Sequence, residues 1–131
     1  MTVFSPKIVA QHRKAVERDA RNEAREIVIH QSMIAHQTAL LPGYVERLVR
    51  TAIRRATRAY KRGGEAVAEI YFKQSRFYLL GSVDDNNPTF RKAMEEVRGK
   101  YPHADISIST VNRGGRPKTV RFLDVTLSTP T

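Results

Sequence analysis

Residues 44–62 carry the strongest single constraint on how this chain can fold, because their apolar and cationic side chains separate cleanly at helical spacing. At about 100° per residue, Val45, Leu48, Val49, Ala52, Ile53, Ala56, Ala59 and Tyr60 share one face. Arg47, Arg50, Arg54, Arg58 and Lys61 share the opposite face, flanked by Arg55 and Arg62. Pro42-Gly43 punctuates the start of the stretch. Gly63-Gly64 marks its end, since glycine takes the left-handed backbone of a helix stop at little cost. The spacing predicts a helix over 43–62 that lays an alanine-rich face on a core.

Upstream, Ser5-Pro6 reads as a helix start, with serine as cap and proline at the first helical position. Helix-favouring residues then run to about Gln31, and 32–41 continue them as far as Pro42-Gly43. Large apolar residues are sparse here. Ile8, Val9 and Val16 lie at one end, Ile27, Val28 and Ile29 at the other, with Ala20 and Ala24 between. A helix over 5–31 of this kind either packs closely through its small residues or projects and packs on a partner, and a homodimer through it is one such pairing.

After Gly64 the period changes to two. Strands are expected over 66–73 and 76–83, joined by a tight turn at 73–76. Asn87-Pro88 opens a short helix that stops at Gly99, with Phe90, Met94 and Val97 as its apolar stripe. Two more strands follow over 104–111 and 119–127, linked by the loop NRGGRPK. The expected order is α-α-β-β-α-β-β: an α+β chain with two N-terminal helices, then a four-stranded antiparallel sheet with one helix. Residues 1–42 form a helical arm for oligomerisation or partner binding. Residues 43–131 form the basic helix plus the ββαββ core, in a single domain overall. At 131 residues such a unit buries roughly two-thirds of its extended-chain surface, enough for a real core.

The net charge of +10 is unevenly spread. Residues 1–43 hold six cations and four acids, and 44–62 hold seven cations against Glu46 alone. Residues 63–112 hold six cations and seven acids, and 113–131 four cations and one acid. The excess therefore has two foci, a helix and a turn, as a binding face has and a merely soluble surface does not. A solvated helix face mixes signs, because arginines spaced i,i+4 repel by a few tenths of a kcal/mol. Arginine outnumbers lysine six to one in 44–62, which favours bidentate phosphate recognition. An alanine-rich apolar face without Trp or Phe argues against a membrane surface.

In the second focus, Arg113-Gly-Gly-Arg116-Pro117-Lys118 resembles the core of an AT-hook, which lies extended in the minor groove. It departs from that pattern by an extra glycine between the arginines and by the missing preceding proline. The plain alternative is a hairpin loop with solvated cations. Arg121 is expected to alternate outward with Thr119 and extend the patch. Tyr71, Phe72, Phe77 and Tyr78 would stack unpaired bases if exposed on an open sheet face, though strand aromatics more often pack against a helix.

Nothing in the chain requires catalysis. His12, His30, His36 and His103 have no metal-ligand spacing, and no phosphate-cradling loop is present. Asp84-Asp85, Glu95-Glu96, Asp105 and Asp124 would make a nuclease-type magnesium site if they converged, but each has a simpler reading, turn formation for the aspartates and an exposed helix face for the glutamates. No cofactor or metal is expected. Without cysteine or an apolar run of about 18 residues, the default is a cytoplasmic protein that meets no membrane. The expected partner is nucleic acid, DNA or RNA, held mainly by its phosphates. The rival is a protein–protein module, an inhibitor or assembly component, that binds an acidic protein.

Overall fold

The computed structural model describes residues 3–81, 83–112, 114–115 and 119–130. It divides into two compact units, Met1–His36 and Gln37–Thr131. The elements are α1 (Pro6–Lys61), β1 (Val67–Phe72), a 3₁₀ helix (Gln74–Leu80), α2 (Pro88–Lys100), β2 (Ala104–Asn112) and β3 (Thr119–Leu127).

In the first unit, Ser5 caps α1 as its chemistry requires, its Oγ accepting from the Ile8 N–H at 3.4 Å. The apolar side chains that follow stay largely in solvent, with Val16 53% and Ile27 57% exposed.

The expectation of two helices broken at Pro42-Gly43 is corrected: α1 passes through both residues. A proline inside a helix costs about 3 kcal/mol or more, and a glycine about 1 kcal/mol. Tertiary burial outweighs that penalty. Leu41, Val45 and Val49 are fully buried and Tyr44 nearly so, each such side chain contributing about 1.5–3 kcal/mol. Gly43 meanwhile faces open space, with nothing near the position of an added Cβ. Gly43→Ala is therefore expected to stabilise the protein by about 0.5–1 kcal/mol. Urea denaturation would show it, and an unchanged or lower midpoint would mean the backbone there is not ordinary helix.

The stop at Gly63-Gly64 forms as its glycines predict. Gly63 takes φ 88°, its N–H donates to Tyr60 O at 3.0 Å, and Gly64 N–H donates to Ala59 O at 3.0 Å.

The strand expected over 76–83 is also corrected. Residues 74–80 form a 3₁₀ helix, and the sheet has three antiparallel strands in the order β1-β3-β2, not four. Side chains of α1 take the place of a neighbouring strand. Lys73 N–H donates to the Tyr44 hydroxyl at 2.9 Å, and Leu79 N–H donates to Gln37 Oε1 at 3.1 Å. Phe77 turns inward against Tyr44, ring centroids 5.2 Å apart. The segment's aromatic content served core filling rather than strand pairing, and Gly81 at φ 70° ends it.

The remaining elements lie close to their expected positions. Asn87 caps α2, its side chain accepting from the N–H groups of Thr89 and Phe90 at 3.0 and 3.1 Å. The helix runs one residue past Gly99, to Lys100. In the sheet, Ile70 and Ile108 both pair with Leu123, and Ala68 and Ile106 both pair with Val125. These residues, with their strands' alternate neighbours, face the core that the second half of α1 and α2 complete. The class is α+β, with one sheet face covered and the other, bearing Glu69, Tyr71, Phe122 and Asp124, turned outward.

Candidate nucleic-acid interface

Packing of Val45, Val49, Ala52 and Ala56 into the core leaves the opposite face of α1 outward. Arg47, Arg50, Arg54, Arg55, Arg58 and Lys61 are all exposed there, and Arg62 is exposed just past the helix end. At 1.5 Å per residue the row from Arg47 to Lys61 extends about 21 Å. Thr51 organises its middle: its hydroxyl donates to Arg47 O at 2.9 Å and accepts from Arg54 Nη2 at 3.3 Å. Among the described residues, the ion pairs are Arg18–Asp19, Lys100–Glu46 and Arg121–Asp84, so none neutralises the row.

Glu46, the one acid of this stretch, is held at the edge by Lys100 from the end of α2. The hydrogen bond from Lys100, reinforced by its charge and by Arg50, lowers the Glu46 pKa, and the same bond raises that of Lys100. A depressed carboxyl contributes above its unfolded pKa and is lost as pH falls through its folded one. A raised ammonium contributes below its unfolded pKa and is lost as pH rises past its folded one. The pair therefore holds through the neutral range and gives Glu46 a direct cationic partner outside the arginine row.

Next to that pair lies a shallow pocket of about 370 Å³ lined by Arg47, Arg50, Ile53, Arg54 and Tyr101. Tyr101 closes α2, its N–H donating to Val97 O at 3.0 Å, and packs half-buried beside the core. The Lys100 ammonium lies 5.8 Å from the centre of its ring. Sequence reading missed Tyr101 and Lys100. A tyrosine just past a helix end carries no periodic signal, and only the packing of α2 brings it to α1.

The second basic focus is only partly described. Arg113, Arg116 and Lys118 lie outside the described residues, while Gly114 and Gly115 between them are exposed. Arg121 corrects its expectation. It shares the core-side face of β3 with Leu123 and Val125, and only 14% of its side chain is exposed. Its guanidinium donates to Val83 O and lies 3.7 Å from Asp84. Such a residue ties the 83–84 turn to the sheet and offers little to a ligand.

The four strand-region aromatics divide. Phe72 and Phe77 are core residues, whereas Tyr71 and Tyr78 are exposed and line a separate groove of about 280 Å³ with Gly81 and Thr119. Among the described residues no three His, Asp or Glu side chains converge as a metal site, and no helix is long and apolar enough to cross a membrane. Comparison with protein-family models, curated proteins and solved structures returns no match for this chain.

Proposed function

We propose that this chain binds nucleic acid through the phosphate backbone, with the arginine row of α1 as its track. One observation carries the reading: six exposed cations follow one face of α1 with Arg62 just past its end, and no described carboxylate lies within ion-pair distance of any of them. A same-sign row repels itself slightly, and a polyanion reverses that cost. In this reading Arg113, Arg116 and Lys118 extend the contact to a groove or a second row of phosphates. Phosphate contacts supply affinity with little sequence choice, so binding is largely non-specific and sensitive to salt. Titration of labelled single-stranded DNA, duplex DNA and RNA at several salt concentrations tests it. Steep weakening with salt is expected. If none of the three binds near physiological ionic strength, the reading fails, and an acidic protein becomes the partner to seek.

The helical arm favours a second copy of the chain as its partner. Val9, Val16, Ile27 and Met33 are exposed along it, together with Ala20 and Ala24. An isolated helix gains little from its own propensity and depends on burying such a face. Unlike the row in 44–62, residues 6–36 carry nearly balanced charge, Lys7, Arg13, Lys14, Arg18, Arg21 and Arg25 against Glu17, Asp19, Glu23 and Glu26. Balanced charge lets the arm meet its own copy without repulsion. A dimer is expected by sedimentation at micromolar concentration, and Val16→Glu with Ile27→Glu should return it to monomer. A monomeric wild-type protein would rule the pairing out.

A further inference from the structure

The pocket at the Arg47 end of the row differs from the rest of the face, because cations there share a hollow with apolar side chains. Arg47, Arg50 and Arg54 line it from α1, and Ile53 and Tyr101 supply apolar surface. A track for phosphate alone has no use for an aromatic ring at its side. We infer that the pocket takes one unpaired nucleotide, its base against Tyr101 and Ile53 and its phosphate on the arginines. The face then prefers single strands over duplexes. The inference rests on the phosphate-binding reading above and names its substrate class.

Three features support it. The volume of about 370 Å³ is near the lower end of the roughly 300–1,000 Å³ typical of small-molecule sites, which suits one nucleotide and not a base pair inside its duplex. Arg50 and Arg54 are one turn apart, about 6 Å along the axis, and both line the pocket, a spacing that can serve a single phosphate or two successive ones. Bases stack on aromatic side chains with little regard to sequence, which agrees with largely non-specific phosphate contacts. The other exposed aromatic groove, at Tyr71 and Tyr78, lacks this combination: its lining arginine, Arg121, is already committed to Asp84 and Val83 O.

The full-length protein should be titrated with short oligothymidylate and with a duplex of equal length, and photocrosslinked to the oligothymidylate carrying 5-iodouracil. Tyr101→Leu keeps apolar bulk beside the core and removes the ring; Tyr101→Phe keeps the ring. With the fold of each checked by urea denaturation, Tyr101→Leu should weaken single-strand binding on the order of ten-fold and leave duplex binding unchanged. Tyr101→Phe should bind as the parent does, and the wild-type crosslink should map to Tyr101. The inference is overturned if Tyr101→Leu affects both ligands equally or neither, or if the crosslink maps to Tyr71 or Tyr78 or does not form. If the wild-type protein binds neither ligand, the underlying phosphate reading falls as well, so the two failures are distinguishable.

Discussion

Replacing Arg50, Arg54 and Arg58 together by alanine should weaken binding of single-stranded nucleic acid about a hundredfold at about 0.1 M salt, while leaving the protein folded and slightly more stable. The size follows from counterion release. Each phosphate contact on a single strand contributes about 0.7 to the slope of log K against log salt. Three contacts contribute about two units of slope, and at about 0.1 M salt that is about two decades of affinity. On a duplex the same three contacts would contribute nearer three units of slope. The stability change has the opposite sign. All three side chains are exposed, alanine is the better helix former, and two i,i+4 repulsions disappear against one lost attraction, that of Arg50 for Glu46. Salt-dependent titration with a parallel urea curve measures both. A variant that binds as tightly as the parent would show that the row is not the track. One that loses stability along with binding would show that the arginines serve the fold.

Phe72→Ala should cost about 3–5 kcal/mol, a large share of the stability of a unit in which about 5–15 kcal/mol is usual. Phe72 is fully buried where three elements meet α1, and its ring contacts those of Tyr44, Phe90 and Phe77 at 5.3, 6.0 and 6.4 Å. Edge and stacked contacts of that kind add about 0.5–1.5 kcal/mol per pair beyond burial. Tyr71, one residue earlier in β1, points to the outer face and is 48% exposed. Among the described residues its ring meets that of Phe122 in one edge contact at 6.0 Å, so Tyr71→Ala should cost about 1 kcal/mol or less. Denaturant midpoints of the two variants compare the faces directly. Similar losses at both positions would mean that both sheet faces are buried.

How much was legible depended on whether the signal lay within one element. Helix spacing in 44–62 located the core face and the arginine face together, since both follow from the same 100° rotation. Ser5, Asn87 and Gly63 marked helix ends through their own side chains or φ angles, which are local chemistry. The strands over 104–111 and 119–127 were readable because their alternation is regular and their partners are adjacent. Residues 76–83 were not, because aromatic and β-branched content looks alike in a strand and in a segment folded into a core.

The candidate site divides along the same line. Its arginine row is set by the sequence, since any helix through these residues places Arg47, Arg50, Arg54, Arg58 and Lys61 on one side. Its pocket is not, because Tyr101 reaches Arg50 only through the packing of α2 beside α1. Arg121 shows the converse: a cation counted toward the binding surface became a tether once Asp84 was brought to it.

By itself the sequence determined the helix ends at Ser5, Asn87 and Gly63, the α+β class and the cationic face of residues 44–62, because each depends on rotation per residue or on a residue's own conformational preference. The tertiary structure alone decided that α1 runs through Pro42 and Gly43, that residues 74–80 leave the sheet, and that an aromatic ring stands beside the arginines. Those outcomes depend on burial energies between distant residues, which exceed the local penalties of a proline or a glycine and leave no periodic trace in the chain.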